Sequence, residues 1–147
     1  MTAKNRLFYK FNISHRILFK WIDRETLKRY GVSSTQLAAL FYLLNRDGCQ
    51  LKELSEELFQ NKSAITTLVE RMEKNDLLRK KSSETDGRAF QLFITPKGKA
   101  IGNEALGLLS GFNAALTEGF SSKEVETINR FFDTIIDNFN SGTVDTV

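Results

Sequence analysis

Between Leu51 and Lys99 the chain passes through two short helical patterns, a basic hairpin and a capped entry into a further helix, an order that few folds accommodate. In LKELSEELF, Leu51, Leu54 and Leu58 recur at the spacing of one helix face, while Glu53, Ser55, Glu56 and Glu57 fall on the rest of the surface. In NKSAITTLVERMEKNDLL, Ile65, Leu68, Val69 and Met72 make a second apolar stripe, and Asn61 or Ser63 can accept a hydrogen bond from the orphan amides at its start. Leu77 to Ser82 and Ala89 to Ile94 then bracket Glu84-Thr85-Asp86-Gly87, in which Asp-Gly is a strong turn signal. Phe90, Leu92 and Ile94 alternate with Gln91 and Phe93, so one face of this hairpin is expected to pack on the helices.

Two short helices with a tight connection are a helix-turn-helix, whose second helix offers its N-terminal residues to the major groove of double-stranded DNA. Here those residues are Asn61, Lys62, Ser63, Thr66 and Thr67. Hydroxyls and amides donate and accept at base edges or phosphates, and Lys62 adds a charge. Such residues also gather at helix starts for purely local reasons, so the hairpin carries more weight. Arg79, Lys80, Lys81 and Arg88 cluster on or beside its outward loop. A basic hairpin directly after a helix-turn-helix is a wing, which reaches the phosphate backbone or the narrow minor groove.

These residues resemble the MarR family of bacterial winged-helix regulators, whose wing carries an Asp-x-Arg motif followed by a strand ending Leu-x-x-Thr-x-x-Gly. The matching positions are Asp86-Gly87-Arg88 and Leu92-Phe93-Ile94-Thr95-Pro96-Lys97-Gly98. The resemblance implies that Arg88 enters the minor groove and that Asp86 orients it through a carboxylate to guanidinium pair. Two departures stand out. Gly87 replaces a frequent arginine or bulky residue, and Asp76 stands where a glycine usually precedes the first wing strand, so the connection after Asn75 is expected to bend differently.

The flanks read as helices. Asn5 to Arg29 has Leu7, Phe8, Phe11, Leu18, Trp21 and Ile22 on a broad apolar side, with Gly31 as C-cap. Ser33 and Gln36 form a capping box for a second helix with the stripe Leu37, Leu40, Phe41 and Leu44. Thr95 and Pro96 open a helix to about Glu118, with Ile101, Ala105, Leu108, Phe112 and Ala115 on one face. Gly102, Gly107 and Gly111 within it point to close approach of another helix or to a bend. A last helix starts at the box Ser121 to Glu124 and carries Val125, Ile128, Phe131, Phe132, Ile135, Ile136 and Phe139. Large apolar surface at a chain end requires a partner, either the chain's own core or a second copy, and a small winged unit offers little area to cover it. The resemblance implies the homodimer, joined through the N- and C-terminal helices. Its two-fold axis sets the recognition helices one DNA turn apart, about 34 Å, over a palindromic site.

The expected fold class is therefore mainly α with a small β-hairpin wing. Residues 1–147 form one domain: a winged helix-turn-helix DNA-binding unit over about 33–95, and dimerisation helices over about 5–30 and 96–140. Forty-one per cent hydrophobic and 27% charged residues suit a globular protein, and neither a secretory leader nor a membrane-spanning run is present, so a cytoplasmic protein is expected. The net charge of +3 is small and unevenly placed. Residues 1–30 hold eight Lys or Arg against two acids, residues 118–147 hold two against six, and residues 61–88 hold seven against five. Binding is expected to lean on shape and local contacts, with a mild nonspecific term.

One histidine, His15, and one cysteine, Cys49, give no pair at metal-ligand spacing and no catalytic constellation, so neither an enzyme nor a bound metal or cofactor is expected. Cys49 reads as a small buried residue. The resemblance implies a transcription regulator, most often a repressor. Some relatives answer to small aromatic ligands between the dimerisation helices and the DNA-binding unit. Phe11, His15, Trp21, Phe41 and Phe112 are the candidate effector pocket, and core packing explains them equally well. The alternative function is a winged-helix protein interaction module that does not bind DNA.

Overall fold

The structure, a computed structural model, describes residue 2, residues 6–83 and residues 89–140. The element order is α1 (Leu7–Tyr30), α2 (Ser34–Asn45), β1 (Cys49–Gln50), α3 (Leu51–Glu57), α4 (Lys62–Lys74), β2 (Leu78–Ser82), β3 (Phe90–Ile94), α5 (Pro96–Leu116) and α6 (Ser122–Asn140). The chain divides into two compact units, Met1–Leu106 and Gly107–Val147.

The first unit is built around the apolar stripes read from the sequence. Leu37, Leu40 and Leu43 of α2, Leu54 of α3, and Ile65, Val69 and Met72 of α4 are buried together with Leu77, Leu78, Leu92 and Ile94 of the wing root. Helix ends are set by local chemistry. Gly31 adopts the left-handed conformation (φ 69°) and donates to the Leu27 carbonyl, ending α1. The Ser33 hydroxyl accepts from Gln36 N while Gln36 Oε1 accepts from Ser33 N, the expected capping box of α2. The Asp23 carboxylate accepts from Ser34 N at 2.7 Å and so fixes the bend between α1 and α2. Only Thr26 of α1 is buried, so most of the apolar side expected along this helix stays open within the unit.

The wing is the outer part of a three-stranded antiparallel sheet in the order β1-β3-β2. Leu78 pairs with Ile94, Lys80 with Leu92 and Ser82 with Phe90, and β1 adds Cys49 opposite Leu92. The third strand is an addition to the expected two-stranded hairpin. The Asp47 carboxylate, which accepts from Ile94 N at 2.8 Å, satisfies the amide just beyond it. Leu92 and Ile94 are buried as their alternation predicts, whereas Phe90, expected on the same packed face, is 41% exposed. It lies at the outer end of β3, where it lines an open groove beside α4 rather than the closed core, with the Lys80 ammonium 5.1 Å above its ring.

At the wing base, Asp76 has φ 56°, the left-handed conformation that a glycine adopts readily, so the chain turns as it would with glycine there. Thr95 caps α5 by accepting from Gly98 N through its hydroxyl, which also donates to the Asp76 carbonyl. Gly98 itself has no room for a side chain: a Cβ would run into the Leu77 carbonyl oxygen and crowd Leu40 and Ile94. Further along α5, a Cβ on Gly102 would stand 3.0 Å from Leu44 Cδ1, a close helix approach, while Gly107 and Gly111 have no such neighbour within 4 Å.

In the second unit, α6 starts at the expected box, with Ser121 Oγ accepting from Glu124 N and Glu124 Oε2 accepting from Ser121 N. Val125, Ile128 and Ile135 are half-buried, and Phe131, Phe132, Ile136 and Phe139 are exposed. No helix among the described residues is long and apolar enough to cross a membrane.

Candidate nucleic-acid interface

Helix α4 turns its apolar stripe inward and leaves Lys62, Ser63, Thr66 and Thr67 exposed on the opposite side. Asn61 is its N-cap, accepting from Ala64 N at 2.8 Å through its side-chain oxygen, and its exposed side chain still has the amide NH2 to offer as a donor. Thr66 donates its hydroxyl to the Lys62 carbonyl and keeps lone pairs to accept with. The connection from α3 is tight: Phe59 takes a left-handed conformation (φ 52°), and the Ser55 hydroxyl holds the Gln60 carbonyl at 2.6 Å.

The helix is flanked on both sides. Toward the wing lies a groove of about 330 Å³ lined by Gln50, Leu51, Lys52, Lys62, Thr66, Val69, Lys80, Ala89 and Phe90. A second groove of about 280 Å³ adds Ser55 and Ile65 to Leu51, Lys52, Lys62 and Thr66. Toward α2 lies a wider depression of about 480 Å³, whose wall includes Ser33, Thr35, Asn61, Ser63, Thr67 and Arg71. The structure thus joins Lys62, Thr66 and Lys80 on one flank and Asn61, Ser63 and Thr67 on the other.

Arg79 and Lys81 alternate with Lys80 along β2 and so lie on the other face of the sheet. Arg79 is engaged locally, its Nη2 donating to Asp76 Oδ1 at 2.7 Å. The Lys81 ammonium stands 5.2 Å over the Phe93 ring. The Lys80 backbone amide donates to Glu73 Oε2, tying the wing to α4. Asp86 and Arg88, the pair on which the wing motif depends, lie outside the described residues.

Lys52, Thr35 and Arg71 line these grooves without having been among the residues expected from the sequence. Arg71 follows Thr67 by one helical turn and was readable by periodicity. Lys52 reaches the groove only because β1 sets the start of α3 against β3, which no local pattern announces. Of the candidate effector residues, Phe11, His15 and Trp21 lie on α1, where His15 packs against Phe19 with ring centroids 4.4 Å apart. Phe41 packs half-buried against the first unit's core, and Phe112 belongs to the second unit. None of the five lines the grooves beside α4. Cys49 is buried, and that burial, with the Glu53 and Asp47 carboxylates acting in the same direction, pushes its thiol up to about 11. Among the described residues no cluster of His, Cys, Asp or Glu has a metal-holding arrangement.

A family model described as "MarR family" matches residues 30–89, the span from the last residue of α1 to the residue before β3. The HTH-type transcriptional regulator SarZ of Staphylococcus epidermidis is 28% identical over 127 residues, covering 86% of this chain and 82% of that protein. Among solved structures, a MarR protein from Peptoclostridium difficile superposes with a TM-score of 0.88 at 18% identity, covering 97% of this chain and 94% of that one. The S. aureus MepR-DNA complex superposes with a TM-score of 0.83 at 16% identity, covering 89% of this chain and 96% of that one. The helix-turn-helix, the three-stranded wing and the Thr95-to-Gly98 entry into α5 agree with these matches: residues 30–89 are similar to the MarR family, and the chain shares the fold of these solved structures.

Proposed function

We propose that the chain, as a homodimer, binds double-stranded DNA at a palindromic operator and represses transcription. The observation that carries this reading is the exposed N-terminal face of α4, where Asn61, Lys62, Ser63, Thr66 and Thr67 stand free of the core between two open grooves. In the proposed complex α4 lies in the major groove, Lys80, Lys81 and Arg79 sit near the backbone, and Arg88, oriented by Asp86, enters the minor groove. The curated relatives named as HTH-type transcriptional regulators and the DNA-bound MepR of the same fold support it. Dimerisation through α1, α5 and α6 is supported by the apolar side chains that those helices leave exposed.

A small aromatic effector belongs to the same reading. Lodged among Phe11, His15, Trp21, Phe41 and Phe112, it would favour a spacing of the two recognition helices that no longer matches the groove repeat.

The test is a gel shift or fluorescence anisotropy titration with the duplex upstream of the protein's own coding sequence, repeated with Arg88→Ala. Loss of a well-made arginine contact is expected to weaken binding by about 1–3 kcal/mol and relax specificity at the contacted step. Undiminished affinity would remove the wing from the interface, and absence of any duplex binding by the unaltered protein would favour the protein interaction module.

A further inference from the structure

Three lysines from three different elements converge beside the recognition helix. Lys52 of α3 and Lys62 of α4 line both adjoining grooves, and Lys80 of β2 closes the larger one. The floor between them is apolar, formed by Leu51, Val69 and Phe90, and the Lys80 ammonium is held over it, 5.1 Å from the Phe90 ring centroid. Among the described residues the ion pairs are Arg29 with Glu25 and Arg79 with Asp76, so none of these three ammoniums is neutralised by a neighbouring carboxylate. Arg79, next to Lys80 in the chain but on the other face of the sheet, offers the contrast, because its guanidinium is already occupied at 2.7 Å. Like charges gathered around one depression repel each other modestly in water, and an anion laid along it relieves that repulsion. The trough joins the first turns of α3 and α4, at Lys52 and Lys62, to the outer part of the wing, at Lys80, Ala89 and Phe90, so its charges are spread over three elements rather than gathered at one point.

We infer that one sugar-phosphate strand of the bound duplex runs along this trough and that Lys52, together with Lys62 and Lys80, contacts its phosphates. The inference rests on the DNA-binding reading above and adds to it a residue outside both the recognition helix and the wing. Lys52 contributes to affinity and to register on the duplex without reading sequence, since a lysine on a phosphate carries no base information.

The test uses the full chain and two duplexes, the DNA upstream of its coding sequence and a scrambled duplex of equal length, titrated by fluorescence anisotropy over a range of salt concentrations. Lys52 is exposed, so Lys52→Ala leaves the core intact. With Lys52→Ala, both duplexes are expected to lose affinity by the same factor, and the slope of log K against log salt becomes shallower by roughly 0.9 for each phosphate contact removed. Lys52→Arg retains the slope. Lys99→Ala, which deletes the same charge from exposed α5, leaves it unchanged. An unaltered slope and affinity in Lys52→Ala, with the unaltered protein binding normally, overturns the inference and leaves the DNA-binding reading standing. Failure of the unaltered protein to bind either duplex overturns both.

Discussion

At the scale of single residues, Asp76 shows how a left-handed backbone position tolerates a side chain where glycine would fit most easily. Its φ of 56° lies where most side chains clash with their own backbone, and aspartate is among the few that enter that region without large cost. It is also paired with Arg79 at 2.7 Å, although both side chains are more than half exposed and the pair is therefore worth little. Asp76→Ala should destabilise the fold by about 1 kcal/mol, because alanine keeps the steric penalty and loses the pairing. Asp76→Gly should fall within about 0.5 kcal/mol of the parent, since relief of the backbone offsets the lost pair. Urea denaturation of the two variants checks the order, and an alanine variant as stable as the glycine one would mean that the turn is not held left-handed. Cys49 provides a second test. Its thiol is pushed from an ordinary 9.0 to about 11, so the folded state holds this proton more tightly than the unfolded chain. The resulting stabilisation is complete below pH 9 and is lost as pH rises through 11, so Cys49→Ala should show a shallower alkaline fall in stability. At neutral pH the native thiol should react with a disulfide reagent far more slowly than the urea-unfolded thiol, and equal rates would contradict its burial.

At the scale of elements, what was legible in the sequence is what local chemistry decides. The boxes Ser33 with Gln36 and Ser121 with Glu124, the stripe Ile65, Val69 and Met72, and the entry at Thr95 and Pro96 each depend on residues within a turn or two of one another. Strand β1 was not legible, because two residues carry no periodicity and Cys49 becomes a strand residue only by pairing with Leu92. The same non-local pairing hid Lys52, and the exposure of Phe90 was hidden because the open groove it lines beside α4 arises only on packing. Of the candidate interface, the recognition-helix residues could be read from their position at a helix start, whereas their two flanking grooves are products of packing. Asn61 sits at the meeting point of both kinds of information, being an exposed N-cap whose oxygen is used and whose amide NH2 is a second, separate donor. Asn61→Ala should cost about 1 kcal/mol of stability through loss of the cap, whereas Asn61→Ser should cost little. Comparing the pair by thermal unfolding and by duplex titration separates the roles. A serine variant that keeps stability but loses affinity assigns the amide to DNA, and one that keeps both makes Asn61 a cap alone.

At the scale of the whole molecule, the proposed homodimer turns on the apolar surface of α6, because a single reading helix with a mildly charged surround binds weakly. In its own unit, α6 leaves Ile136 51% and Phe139 63% exposed. A helix end of this kind is unfavourable in water and gains free energy only by covering, roughly 25 cal/mol per Å² of apolar surface removed. A symmetric interface uses each such residue twice, so one substitution weakens it from both sides. Ile136→Lys places an ammonium on that face and should shift the protein toward monomer, read by sedimentation velocity at micromolar concentration. The fold of the first unit, which does not include this residue, should keep its circular dichroism and its unfolding transition. Affinity for a two-half-site duplex should then fall about a hundredfold or more, because the second half-site is no longer engaged intramolecularly. Affinity for a single half-site should hardly change. If the variant sediments as the parent does, α6 is not at the interface. If instead both forms are monomeric and bind the two-half-site duplex equally, the palindromic reading fails, and each copy of the recognition helix acts alone.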